Sequence, residues 1–159
     1  MGDGRNGDGA KRRGESLLMN EPRLRQLGIA TVISHLFVVT PHSIAHTHLQ
    51  IEMNSWQNIY IGVVILLGPI VSAVLLGMRR KVGSTLLALS MAGSLVFGVY
   101  YHFIAVGPDN VASLHQHPWT RTFQLSAVLL AVTELCGAIV GLIGGRHHRL
   151  HAGGHSSST

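Results

Sequence analysis

The stretch YIGVVILLGPIVSAVLLGM, residues 60–78, carries no charged side chain. It is long enough for a membrane-crossing helix, which needs about 20 mostly apolar residues. Residues 82–106 contain no Lys, Arg, Asp or Glu, and residues 122–145 contain only one such residue, Glu134. Residues 27–51 also lack these four residue types, but they include four histidines. The pattern therefore predicts four membrane spans, of which the first is the most polar.

Composition supports this interpretation. Apolar residues make up 47% of the 159-residue chain and charged residues only 12%, whereas a soluble domain carries about 25% charge. The sequence predicts an all-α integral membrane four-helix bundle over residues 25–145, with spans at about 27–51, 58–78, 82–106 and 122–145. Residues 1–24 are predicted to be a disordered basic tail, and residues 146–159 a disordered His-rich tail. A cleaved signal peptide is the alternative for the first span.

The basic residues predict the orientation. With four spans, both termini and the loop of residues 79–81 lie on one side of the membrane, and that side holds eleven of the 12 Lys and Arg residues. Arg121 is the one basic residue on the other side. Because cytoplasmic loops are enriched in Lys and Arg, both termini are expected to be cytoplasmic. The net charge of +5 is thereby explained without nucleic acid. The expected location is a bacterial or archaeal plasma membrane, crossed several times, with the lipid bilayer as partner.

Small residues recur at every fourth position within the predicted spans. Gly137, Gly141 and Gly145 form such a series in the fourth span, and Ser90 and Ser94 belong to another in the third. These series allow close helix approach, which suits an intramolecular bundle, a homo-oligomer or docking to a larger membrane complex. No segment outside the spans is long enough for a catalytic domain, so an enzyme is not the expected class and no catalytic residue is assigned.

Histidine is unusually frequent, with 11 residues, and its placement suggests a metal site. His42 and His46 are one helical turn apart, a spacing that suits chelation of a single ion. His102 ends the third span on the same predicted outer side, where Asp109 and Glu52 also fall. The HQH sequence at residues 115–117 lies in the second outer loop. The predicted ligands of a copper, zinc or iron ion are the following five: His42, His46, His102, His115 and His117.

Two other interpretations of these histidines remain open. The imidazoles could lie among lipid headgroups or cap helix ends without binding any ligand. A single b-type haem between His102 and either His42 or His46 is less favoured than an ion. Two stacked haems would need a second histidine pair on the third span, which offers only His102.

Glu134 is the only acidic residue inside a span. Exposed to lipid it would cost about 3 kcal/mol, so it is expected to face protein, on the same side of its helix as Gly141 and Gly145. His35 lies at a similar depth in the first span. The two residues are predicted to form either a buried polar pair or a proton relay.

Three functions follow from these features. The first is a small membrane protein that binds a transition metal ion at its outer face. The second is a structural or assembly subunit of a larger membrane complex, in which the histidines are incidental. The third is a proton-coupled carrier of a small solute that uses Glu134 and His35.

Overall fold

The computed structural model describes the backbone of residues 5–152 and the side chains of residues 21–146. Within this part the chain is helical, with four long helices. Helix α1 covers Arg5–His48, α2 covers Ser55–Gly77 and α3 covers Val82–Ile104. Helix α4 covers Thr120–Ala152. The prediction of an all-α chain with four apolar helices is confirmed.

Each of the four helices overlaps one predicted span, and each is long and apolar enough to cross a membrane. Helices α1 and α4 also run beyond their spans, since α1 begins at Arg5 and α4 ends at Ala152. The disorder predicted for residues 1–24 and 146–159 concerns segments whose side chains lie mostly outside the described part, and it stays a prediction. The side chains of the tail histidines, at positions 147, 148, 151 and 155, lie outside the described part.

The helices form a ring in which each packs against its neighbours in the chain, and α4 closes the ring by packing along α1. Close approach depends on glycine at two contacts. A Cβ atom added at Gly141 of α4 would lie 2.5 Å from the backbone nitrogen of Ala88 in α3, and one at Gly68 of α2 would lie 2.7 Å from the Cβ of Ser90. Real Cβ atoms do not come this close, so these glycines set the separation of the helices.

The surface of the bundle is apolar and its interior holds polar groups. Phe37 is 81% exposed and Val96 70% exposed, whereas His35 and Ser94 are fully buried. Soluble proteins rarely expose large contiguous apolar patches, and such surfaces mark membrane or partner contacts. This distribution is compatible with a multi-pass membrane protein.

Two helical segments depart from α-helical geometry. Residues Ile61–Leu67 of α2 and Tyr100–Ile104 at the end of α3 are π-helical. Short π-helical segments are rare and are frequently found at functional sites. The second of these segments carries His102, and the first carries Ile65, whose carbonyl group contacts His35.

Buried apolar residues form two layers. The first layer contains Val32, Leu76, Leu87, Met91 and Ala138. The second contains Val39, Ile65, Phe97 and Leu130. His35 lies along α1 between Val32 and Val39, and Glu134 lies along α4 between Leu130 and Ala138, so the polar pair separates the two layers. On the opposite side of the second layer from this polar pair lie His42, His46 and His102.

Candidate metal centre

Three histidines meet at the end of the bundle where α1 and α3 end. His42 and His46 come from α1 and His102 comes from the π-helical end of α3, and one ligand atom of each lies within 4.8 Å of the others. His42 and His102 are buried and His46 is partly buried. This group is called the histidine cluster below. Its members are three of the five ligands predicted from the sequence.

Phe123 of α4 fills the space against the histidine cluster. Its side chain is fully buried, and its ring centroid lies 4.8 Å from that of His42, 4.9 Å from His46 and 5.3 Å from His102. An aromatic ring in contact with all three imidazoles restricts their rotation. The cluster is therefore held by three helices, although only two supply histidines.

A serine on α4 orients His42. The Oγ of Ser126 lies 2.9 Å from Nδ1 of His42, and it also lies 2.7 Å from the carbonyl oxygen of Thr122. A carbonyl oxygen can only accept, so the hydroxyl proton of Ser126 is donated within α4 and Oγ accepts from Nδ1–H of His42. The lone pair of His42 is then on Nε2, the nitrogen that faces His46.

The loop after α3 orients His102 in the same way. Nδ1 of His102 lies 3.1 Å from the backbone oxygen of Asp109 and 3.1 Å from its carboxylate Oδ1. The backbone oxygen can only accept, so the proton of His102 is on Nδ1 and the lone pair is on Nε2. Histidines that bind metal ions almost always donate their other ring N–H to an oxygen acceptor, and two members of the cluster do so.

The distances within the cluster match those between ligands of one ion. The Nε2 atoms of His42 and His46 are 3.2 Å apart, and two nitrogens that bind a tetrahedral ion at 2.0–2.1 Å are separated by about 3.3 Å. The carboxylate Oδ1 of Asp109 lies 3.3 Å from Nε2 of His46. This oxygen makes no hydrogen bond of acceptable geometry, and neither does Nδ1 of His46. Three imidazoles beside a carboxylate suit zinc, copper or iron.

Asp109 reaches the cluster because the loop folds back onto α3. The backbone nitrogen of Val111 donates to the carbonyl of His102 at 3.0 Å, and the side chain of Asn110 donates to the carbonyl of Ala105 at 2.9 Å. Gln124 of α4 fixes the loop from the other side through the carbonyl of Val111. The sequence places Asp109 at the same end of the protein as the histidines but does not identify it as part of the metal site. Its contact with the histidines depends on the conformation of this loop.

His115 and His117 are exposed in the same loop and are not part of the histidine cluster. Nδ1 of His117 accepts from the backbone nitrogen of Trp119 at 3.3 Å, and the carbonyl of His115 accepts from Thr120. These contacts fix the start of α4. The predicted role of the two residues as ligands stays a prediction.

The second predicted pair, His35 and Glu134, meets in the middle of the bundle. Nδ1 of His35 lies 4.0 Å from Oε1 of Glu134. Nε2 of His35 lies 3.1 Å from the carbonyl oxygen of Ile65 and therefore donates to it. That carbonyl precedes Pro69 by four residues, and proline has no N–H to give it. The lone pair of His35 is thus on Nδ1, which has no hydrogen-bond partner and faces the carboxyl group.

A cavity of about 290 Å³ joins the two polar groups. Its walls include the histidine cluster at one end and Glu134 at the other. The exposed lining residues Ser43, Thr47 and Asn58 all lie near the end of α1 and the start of α2, so the cavity opens at the histidine end. Beyond Glu134 the first apolar layer, with Val32 and Met91 almost fully buried, closes the interior.

Fold and site together define the class: a four-helix protein compatible with insertion in a membrane, with three histidines arranged so that they can hold a metal ion. No protein-family model, curated protein or solved structure matches the chain.

Proposed function

We propose that this protein is an integral membrane protein that binds one transition metal ion through His42, His46 and His102. The observation that carries the proposal is the orientation of the cluster. His42 and His102 each donate Nδ1–H to an oxygen acceptor, which places the lone pair of each ring on Nε2. In His42 this nitrogen accepts from Nε2–H of His46, a contact that a bound ion would replace. The carboxylate of Asp109 lies beside the three rings and supplies negative charge next to the ion.

The proposed topology has four crossings, with both termini in the cytoplasm. It is supported by the excess of Lys and Arg on the side of the termini and of residues 79–81. Under this topology the histidine cluster lies near the outer surface of a plasma membrane, and its cavity opens outward. An ion at this position is accessible from outside for sensing, delivery or redox use.

An ion fits the cluster better than haem does. The ring centroids of His42 and His102 are 4.9 Å apart and those of His42 and His46 are 4.8 Å apart. Rings in direct contact leave no room for a porphyrin between them. The nitrogen ligands favour zinc, copper or iron over calcium or magnesium, which prefer oxygen.

The test is the metal content of protein purified in detergent without chelators, before and after incubation with copper or zinc and removal of free ions. Every protein compared carries Ala in place of the four tail histidines, at positions 147, 148, 151 and 155, because a His-rich tail can bind metal on its own. About one ion per chain is expected. The double variant His42→Ala/His46→Ala should bind none.

The matched control is His115→Ala/His117→Ala, which also removes two histidines from the same end but leaves the cluster intact. It should retain its ion. A protein that stays metal-free after both incubations would contradict the proposal, and so would equal loss of metal from the two double variants.

A further inference from the structure

The carboxyl group of Glu134 is an unusual component of the cavity. The residue is only 3% exposed, yet it lines the cavity that contains the histidine cluster. Within residues 21–146 it makes no hydrogen bond, and Nδ1 of His35 lies 4.0 Å from its Oε1. Buried polar groups are normally hydrogen-bonded, and ionisable residues inside membrane segments are usually functional. The group is therefore available to a molecule inside the cavity.

Gly98 of α3 lies beside both this carboxyl group and the histidine cluster. A Cβ atom added at Gly98 of α3 would lie 3.7 Å from Oε2 of Glu134 and 3.8 Å from Cδ2 of His102. Oε2 of Glu134 and Cδ2 of His102 therefore both border the part of the cavity that Gly98 lines. Cδ2 is the ring carbon bonded to Nε2, the nitrogen of His102 that carries the lone pair. A small molecule in this part of the cavity would be within reach of Glu134 and of an ion held by the histidine cluster.

The remaining walls restrict what can enter. Val39, Ile65, Phe97 and Leu130 line the cavity between its polar ends, and the first apolar layer closes it beyond Glu134. A charged solute therefore has no path through the bundle in this structure. A small molecule can enter from the histidine end, stop at Glu134 and leave by the same route.

We propose that the cavity beside Gly98, between the histidine cluster and Glu134, binds a small hydrogen-bonding molecule, which coordinates the metal ion with one atom and accepts a hydrogen bond from the Glu134 carboxyl group with another. The inference rests on the proposed metal site and adds its exogenous ligand. The ligand class is a small molecule or anion with two lone-pair atoms at opposite ends. The carboxyl group is the donor, because an ionised carboxylate at this depth is costly.

Azide is the probe, because it has lone pairs at both ends and its binding to copper(II) produces a charge-transfer absorption. Azide is titrated into copper-loaded protein that carries Ala at the tail positions 147, 148, 151 and 155, and the copper content is measured in each sample. Wild-type protein should bind azide with saturation. Glu134→Leu should weaken azide binding about tenfold, since it removes a hydrogen bond to a charged ligand. Glu134→Gln retains a donor and should bind azide more tightly than the Leu variant does.

A second variant tests the position without altering the carboxyl group. Gly98→Ala adds a methyl group at ordinary contact distance from both neighbours, so copper is retained while azide binding weakens by about fivefold or more. Gly62→Ala is the matched control, because a Cβ atom there meets nothing within 4 Å, and it should leave azide binding unchanged.

The outcomes separate the two proposals. Wild-type protein that takes up no copper overturns the metal site and this inference with it. Copper-loaded protein whose azide affinity is the same in the wild type, Glu134→Leu and Gly98→Ala overturns the inference alone. Weakened binding in both variants, with copper content unchanged, supports it.

Discussion

Nδ1 of His42 lies 2.9 Å from Oγ of Ser126, and this contact between α1 and α4 determines which ring nitrogen of His42 faces the other histidines. Because the hydroxyl group of Ser126 donates to backbone carbonyls of its own helix, its oxygen accepts from His42. Ser126 thereby fixes the tautomer of a proposed metal ligand without being a ligand itself.

Replacing Ser126 with Ala should weaken metal binding without abolishing it. The three imidazoles remain, but His42 is free to rotate or change tautomer, and loss of such an orienting partner typically lowers metal affinity 10–100-fold. Competition with a chromophoric chelator measures the change. Ser72→Ala is the control, since Ser72 is also buried and bonded to its own helix but does not contact the cluster. Equal affinity for the Ser126 variant and the wild type would show that the hydroxyl group does not orient His42.

Asp109→Asn should also lower the metal affinity, by about 10-fold or more. The backbone oxygen that accepts from His102 is retained, so the variant isolates the effect of the negative charge beside the ion. The matched control is Glu52→Gln, which removes an exposed carboxylate at the same end of the protein. If both variants lose affinity equally, the effect is general electrostatic attraction, and the specific role of Asp109 is wrong.

Glu134→Gln should leave the unfolding temperature of the detergent-solubilised protein close to that of the wild type. A neutral carboxyl group and an amide have similar shapes and both can donate. Glu134→Leu should change stability only modestly, since the carboxyl group makes no hydrogen bond within the described residues that the substitution would remove. Thermal unfolding compares the three proteins. Greater destabilisation by Gln than by Leu would instead indicate an ionised carboxylate paired with protonated His35.

The topology predicts opposite labelling at the two ends of the bundle. In a background with Cys136 replaced by Ala, a cysteine at position 113 in the loop after α3 should react with a membrane-impermeant maleimide added to intact cells. A cysteine at position 81, between α2 and α3, should react only after the cells are opened. Ser113 and Lys81 are both exposed, so accessibility within the protein does not confound the comparison. Labelling of position 81 from outside would reverse the proposed orientation.

The helices could be predicted from the sequence because lipid imposes a simple requirement. Each span must be about 20 residues long and nearly free of charge, and that pattern is visible in the chain without knowledge of its packing. Helical periodicity also placed His42 and His46 together on one face of α1. The approach of His35 to Glu134 followed from their similar depths.

The rest of the site depends on contacts between distant segments. Ser126 has no special sequence context, and Asp109 lies in a loop whose path is set by hydrogen bonds to Ala105 and His102. Likewise, the helical wheel places Glu134 near Gly141, whereas the structure places its carboxyl group near Gly98 of α3, with Gly141 packed against Ala88. A wheel gives the direction of a side chain but not the neighbour that it meets.

The most direct test of the central claim is the number of imidazoles bound to a copper(II) ion in the intact protein, measured by pulsed electron paramagnetic resonance. The four tail histidines at positions 147, 148, 151 and 155 are replaced by Ala for this measurement. Three coupled imidazoles are expected in the wild type, and two after His102→Ala. A wild-type signal from fewer than three imidazoles, or one that is unchanged by His102→Ala, would contradict a site built from His42, His46 and His102.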